Sequence, residues 1–169
     1  MTNLATTTGN LELNILRRLA LMQHLGDDFF IYEGKAYEGI LTEIEEAHTE
    51  AVNEQNCNIE LTQYIEENCT EVEELEADDY NEDYRVLTDE EADEAWEESL
   101  NSYIEECITP EIDKISEGAG NLSYYITFDE EAWKRDARMD GRGHSLSSYD
   151  GHENEETVNG ITFYIYRIN

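Results

Sequence analysis

The stretch Thr88-Asp89-Glu90-Glu91-Ala92-Asp93-Glu94-Ala95-Trp96-Glu97-Glu98-Ser99-Leu100-Asn101-Ser102-Tyr103-Ile104-Glu105-Glu106-Cys107 decides how this chain folds. Thr88-x-x-Glu91 has the form of a capping box, in which a threonine hydroxyl and a glutamate carboxylate satisfy backbone N–H groups at the start of a helix. Ala92, Ala95, Trp96, Leu100, Tyr103, Ile104 and Cys107 then recur at the spacing of one helical face. Pro110 is expected to stop the helix, because it has no N–H and crowds the preceding turn. The remaining faces carry nine carboxylates: Asp89, Glu90, Glu91, Asp93, Glu94, Glu97, Glu98, Glu105 and Glu106.

That helix lies inside a broader acidic band. Residues 43–117 hold 28 acidic side chains against two basic ones, Arg85 and Lys114, and so account for 26 of the 32 net negative charges. The flanks are nearly balanced, with five acids and three bases before the band and nine and five after it. High charge with 39% hydrophobic residues resembles a disordered composition. Eleven Tyr, two Trp, four Phe and a single Pro, together with clear apolar periodicity, argue for a folded chain instead. At 169 residues there is enough chain for one domain or for a few small lobes.

Outward from the central helix, Leu11, Ile15, Leu19, Met22 and Leu25 predict a helix closed by Gly26. Phe29–Tyr32, Glu33-Gly34-Lys35 and Ala36-Tyr37 predict a β-hairpin. Thr42-x-x-Glu45 is a second capping box, opening a helix that buries Ile44, Ala47, Ala51 and Val52 and breaks at residues 53–56. Leu61, Tyr64, Ile65, Cys69, Val72 and Leu75 predict one helix over 59–75, followed by an acidic loop over 77–84 and a short strand over 84–87. Beyond the central helix, residues 122–128 read as β and 128–139 as a short helix capped by Thr127 or Asp129. Residues 141–151 read as a loop or weak strand, and 158–168 as a strand entered through an Asn159-Gly160 turn. The expected class is α+β: a helix-dominated acidic region over 43–117, a helix and small hairpin over 1–42, and a β-containing lobe over 118–169.

A sequence pI near 4.1 disfavours binding to nucleic acid or an anionic membrane and favours basic partners or cations. The run Leu19-Ala20-Leu21-Met22 after Arg17 and Arg18 is too short for a signal peptide, and no stretch approaches the roughly 18 apolar residues of a membrane span. Cys57, Cys69 and Cys107, odd in number and widely spaced, are expected to be free thiols in a reducing cytoplasm. No cofactor is expected.

A helix of twenty residues spans roughly 30 Å, so nine carboxylates give one charge per about 3.3 Å, against about 3.4 Å for one DNA strand. Helices of this kind, held by apolar stripes, would offer carboxylates to a protein built to grip phosphates. The side chains expected to meet such a partner are Glu66, Glu67, Glu71, Glu73 and Glu74 on the first central helix. They continue with Asp78, Asp79 and Asp83 on the loop and Asp89, Glu90, Asp93, Glu94, Glu97, Glu98 and Glu105 on the second helix. An even solvated coat is the bland alternative, and carboxylates in two rows would tell against it. A halophilic coat would also cover the flanks, which it does not.

A calcium reading places Asp79, Asn81, Asp83 and Glu90 at ligand positions of an EF-hand loop. Tyr84 stands where that loop needs Gly, and Leu87 where it needs an oxygen ligand. An acidic adaptor, calcium-linked or not, is the alternative to a DNA substitute. No enzyme is predicted: His144 and His152 lie near Ser145, Ser147, Ser148 and Asp150 in one short segment, whereas a triad needs separate supports converging on a pocket. Lys134, Arg135, Arg138 and Arg142 are expected to pair with acids within or between subunits.

The segment Leu122-Ser123-Tyr124-Tyr125-Ile126-Thr127-Phe128-Asp129-Glu130-Glu131-Ala132-Trp133-Lys134-Arg135-Asp136 resembles the closing part of ArdA-type antirestriction proteins, where an aromatic-rich Y-(I/F)-D-(F/Y)-E-A run leads into a short helix. Asp140-Gly141 and Asp150-Gly151 correspond to that family's Asp-Gly loop, and the Glu-rich helices resemble Ocr-type phage DNA mimics. The resemblance covers about 50 residues. It implies a non-catalytic inhibitor that imitates bent B-form DNA and fills the DNA groove of a type I restriction–modification enzyme in the host cytoplasm. The family's habit implies a homodimer.

Overall fold

The computed structural model describes residues 11–55, 58–77 and 83–169. The chain is α+β, with helices dominating and two small sheets. Met1–Asp79 with Glu156–Phe163 form one compact unit, and Tyr80–Glu155 with Tyr164–Asn169 form a second.

In the first unit, α1 (Leu13–Leu25) ends at Gly26, whose φ of 83° is the left-handed conformation that glycine adopts without a Cβ penalty. Leu16, Leu19, Ala20, Leu21 and Met22 are buried, so α1 is enclosed on more than the single face its periodicity suggests, and Leu25 is left exposed. Arg17 is buried as well, its guanidinium 5.7 Å from the centre of the Phe163 ring. β1 (Phe29–Tyr32) and β2 (Lys35–Glu38) pair antiparallel across Glu33-Gly34, both at positive φ, as a two-residue hairpin turn requires. The cross-strand pair Phe30 and Tyr37 stacks at 5.5 Å and, with Ile65, forms a core against which Leu41, Ile44, Leu61 and Cys69 pack.

Two sequence expectations fail in this unit. Helix α2 (Leu41–Gln55) starts before Thr42, which is a helical residue and not a cap; the Ile40 carbonyl accepts from Glu43 and Ile44 instead. Leu41 is drawn onto the Phe30–Tyr37–Ile65 core, and that contact sets the helix start. Residues 53–55 continue α2 rather than break it, and its apolar side chains are half-buried.

The expected helix over 59–75 is only α3 (Leu61–Asn68). From Cys69 the chain is extended along β2: Glu38 N–H donates to Thr70 O (3.0 Å) and Val72 N–H to Ala36 O (2.9 Å). A continuing helix would have set Glu67 beside Glu71 and Glu71 beside Glu74, like charges at destabilising spacings. Extended, the chain still buries Val72 and Leu75, each contributing about 1.5–3 kcal/mol, and turns Glu71, Glu73 and Glu74 to solvent.

Within the second unit, β3 (Tyr84–Leu87) pairs antiparallel with Tyr164–Arg167, the end of β5 (Ile161–Arg167), whose other neighbour in the sheet is β4 (Asn154–Val158). β4 has no counterpart in the sequence expectation, whereas the Asn159-Gly160 turn is present, both residues at positive φ. Helix α4 (Asp89–Tyr103) begins with the expected capping box, Glu91 N–H donating to Thr88 Oγ1 and Thr88 N–H to Glu91. Ala92, Ala95, Leu100 and Ile104 are buried; Tyr103 and Cys107 of the expected stripe are exposed.

Pro110 does not end the helical run. A π-helical turn (Ile104–Ile108) follows α4, with Thr109 N–H donating to Ile104 O, and α5 (Thr109–Ala119) continues to Ala119. Pro110 sits in the first turn of α5, where its missing N–H has no intrahelical partner to lose.

Residues 122–128 are not a strand. Gly120–Tyr125 is a 3₁₀ turn with Tyr124 and Tyr125 exposed, since β-rich composition forms a strand only where a neighbouring edge and a burying face exist. Asp129 caps α6 (Glu130–Ala137) by accepting from Ala132 N–H at 3.0 Å. Residues 142–146 form the short helix α7 (Arg142–Leu146) where a loop or weak strand was expected. A Cβ on Gly143 would meet Gly151 O at 2.6 Å and Glu153 N at 2.9 Å, so glycine permits α7 to lie directly on the backbone of 151–153.

Candidate functional site

The acidic face of α4 is shaped by where the chain's few cations go. α7 brings Arg142 to the start of α4. Its Nη1 donates to Asp89 Oδ1 (2.8 Å) and Asp93 Oδ1 (2.9 Å), its Nε donates to Glu153 Oε2 (2.9 Å), and its guanidinium lies 4.3 Å from the centre of the Tyr164 ring. Burial works against the Arg142 charge, but the bonds to Glu153 and Asp89 outweigh it and hold the guanidinium pKa above its ordinary value. Tyr166 donates to the same Glu153, and burial, reinforced by that bond, raises its hydroxyl pKa well above the usual range.

α6 contributes a second clamp. Lys134, almost wholly buried, donates to Glu97 Oε1 (3.0 Å) and pairs with Glu130 at 2.8 Å, while Arg138 pairs with the other oxygen of Glu97. The bonds from Lys134 and Arg138 lower the Glu97 carboxyl pKa. Hydrogen bonds to the Glu130 and Glu97 carboxylates raise the pKa of Lys134. The expectation that Lys134, Arg135, Arg138 and Arg142 pair with acids holds within this chain, Arg135 through its exposed neighbour Asp136.

Asp89, Asp93 and Glu97, expected to meet a partner, are ion-paired within the chain, Asp89 and Asp93 sharing the one charge of Arg142 with Glu153, and Glu91 is taken up by the capping box. What remains on α4 is Glu90, Glu94 and Glu98, all exposed and four residues apart, with no ion pair among the described residues. Steps of four residues place them about 6 Å apart in one line, and Glu105 lies further on in the π turn. The carboxylates without an ion pair on this helix are thus spaced nearer 6 Å than the 3.3 Å obtained by counting every acid.

The first unit holds a row that sequence reasoning missed. Glu43, Glu46, Glu50 and Glu54 are exposed along one face of α2, at steps of three, four and four residues. The signal was present in the spacing, but a helix broken at residue 53 truncates it. His48 lies on another face, half-buried; its ring nitrogen is 2.7 Å from Ile59 O and its ring packs edge-on against Tyr64.

The other expected site residues scatter. Glu66 and Glu71 share Lys35, at 4.0 and 3.3 Å, and Glu67 accepts from Gln63. Glu73 and Glu74 are on the extended segment, not on a helix. Asp78, Asp79 and Asn81 lie outside the described residues. Asp83 closes the chain end: its carbonyl accepts from Ile168 N–H (2.8 Å) and its carboxylate from Asn169 (3.1 Å). Among the described residues no group of three or more His, Cys, Asp or Glu is placed to hold a metal ion.

The Ser/His/Asp segment forms a turn. Asp150 accepts from His152 N–H (2.9 Å) and from Ser147 Oγ (2.8 Å), bonds that lower its pKa, and Ser147 Oγ also lies 2.8 Å from Arg167 O. No described hydrogen bond joins the ring of His144 or His152 to Ser145, Ser147 or Ser148. No described helix is long and apolar enough to cross a membrane.

Comparison of the chain with known protein families, with curated proteins and with solved structures finds no match.

Proposed function

We propose that this protein takes the place of duplex DNA in the DNA-binding groove of a host defence enzyme, a type I restriction–modification complex being the target class that the resemblance of residues 122–136 to ArdA-type proteins points to. The observation that supports it is the division of labour among charges. Lys134, Arg138 and Arg142 pair with Asp89, Asp93 and Glu97 of α4 and with Glu130 and Glu153, while Glu90, Glu94 and Glu98 are left in a row without ion pairs among the described residues. Each i,i+4 pair of like charges costs a helix about 0.2–0.5 kcal/mol. A chain that can neutralise some acids of a helix and leaves others aligned keeps that cost on one face only, and a basic partner surface removes it on binding.

Glu43, Glu46, Glu50 and Glu54 repeat the pattern on α2. Each row supplies about one charge for every two phosphates of a strand, so mimicry relies on several rows and on no single carboxylate. Both rows stand on helices anchored to apolar cores, which keeps the charges in place before the partner arrives.

Competition tests the reading. Labelled duplex DNA bound to a purified type I enzyme is expected to be displaced stoichiometrically, at least about tenfold less efficiently at 200 than at 50 mM salt. Failure to displace DNA, or displacement indifferent to salt, refutes it; binding to a basic protein without displacement would assign the adaptor role instead.

A further inference from the structure

We propose that a cleft on the second unit binds the guanidinium group of an arginine side chain on the partner protein. The cleft has a volume of about 570 Å³, and Tyr103, Trp133, Asp136, Asp140 and His144 are among its lining residues. Tyr103 and Trp133 stack with ring centres 5.6 Å apart and planes 5° from parallel, yet Tyr103 remains 54% exposed. One face of the Tyr103 ring is taken by Trp133; an aromatic face left open to solvent attracts a cation. Asp136 and Asp140, both exposed, stand on the same cleft, in α6 and the 3₁₀ turn that follows it. A guanidinium is planar: it lies flat on a ring while its N–H edge reaches carboxylates. An ammonium has no flat face and is more strongly hydrated, so the site favours arginine over lysine.

The chain's own arginines show the preference. Arg142 lies over Tyr164 with Asp89, Asp93 and Glu153 around it. Arg167 lies 3.8 Å from the centre of the Tyr149 ring, with the charge of Asp150 nearby. Each of these groupings of tyrosine and acid holds a guanidinium. At Tyr103 and Trp133 the same grouping recurs, and among the described residues no cation lies over either ring. Among the described residues Asp136 pairs only with its neighbour Arg135, at 3.6 Å, both side chains largely exposed.

For the nature of the partner this inference rests on the DNA-replacement reading, because DNA-binding grooves are lined with arginines that contact phosphates and bases. The acidic rows would attract such a surface at long range, and the cleft would anchor one side chain of it.

The test is a titration of the full chain with N-acetylarginine amide at 150 mM salt, following the Trp133 indole N–H resonance by NMR, with N-acetyllysine amide as comparison. Saturable shifts are expected, with the lysine compound weaker by about threefold or more. Tyr103→Ala, and separately Asp136→Asn with Asp140→Asn, should each weaken arginine binding about fivefold. Glu90→Gln, Glu94→Gln and Glu98→Gln together should leave it within about twofold. If Tyr103→Ala fails to fold, the exposed aspartate pair carries the test. A linear response, equal response to both amides, or unchanged binding in the aspartate double variant overturns the cleft. Loss of arginine binding with DNA displacement intact refutes the cleft alone; arginine binding without displacement refutes DNA replacement and sustains the cleft.

Discussion

Two double variants with the same change in net charge should move stability in opposite directions. Glu94→Gln with Glu98→Gln removes two charges from the unpaired row of α4; Asp89→Asn with Asp93→Asn removes two that face Arg142. Glutamine and glutamate have nearly equal helix propensity, so the first variant chiefly relieves the Glu90–Glu94 and Glu94–Glu98 repulsions, a gain of about 0.4–1 kcal/mol. In the second, Arg142, whose side chain is only 13% exposed, loses two charged acceptors. Asp89 and Asp93 are themselves well exposed, which screens the interaction, and asparagine can still accept a bond, so the loss is about 1–2 kcal/mol.

At roughly 2–4 °C per kcal/mol for a chain of this size, the first variant should melt about 1–4 °C higher than the parent and the second about 2–8 °C lower. Calorimetry in 50 mM and 500 mM salt measures both, and the gain of the first should shrink at high salt. Equal shifts of the same sign would refute the division of α4 into an ion-paired and an unpaired face, and would return the acidic surface to an undifferentiated coat.

Other outcomes follow from the same geometry. Gly143→Ala should destabilise by about 1–3 kcal/mol in chemical denaturation, because the added methyl meets the backbone of 151–153 and not a movable side chain. Thr88→Ala should cost about 1 kcal/mol through loss of the capping box, whereas Thr42→Ala, inside α2, should stay within about 0.5 kcal/mol. Glu97, with its pKa lowered by Lys134 and Arg138, contributes stability that is present above the ordinary carboxyl range and lost as pH falls through its lower folded value. Glu97→Gln should therefore lower the melting temperature at pH 7 and converge with the parent in strong acid; a gap that persists undiminished in acid would refute this origin.

Much of the fold was legible where local and tertiary forces agree. The capping box at Thr88, the Gly26 terminus, the Glu33-Gly34 and Asn159-Gly160 turns and the Asp129 cap are short-range chemistry, and each occurs as the residues imply. The failures share a cause. Val72 and Leu75 fit a helical stripe by their spacing, and the free edge of β2 drew the segment out instead, with both side chains still buried. The aromatic run over 122–128 lacked an edge to join, Pro110 was absorbed by a π turn, and β4 formed because β5 was available to pair with it.

By itself the sequence determined the α+β class, the concentration of 26 net negative charges within residues 43–117, and the central helix that carries part of it. Composition and i,i+3/i+4 spacing suffice for these, because they are properties of neighbouring residues. Which carboxylates stay unbalanced was decided only by tertiary structure. Arg142 lies about 50 residues from Asp89 and Asp93, and Lys134 about 40 from Glu97, separations at which no local pattern says who meets whom. Folding α6 and α7 onto α4 brings cations to Asp89, Asp93 and Glu97 and leaves Glu90, Glu94 and Glu98 without an ion pair among the described residues, so part of the acidic band becomes a sparse, directed row.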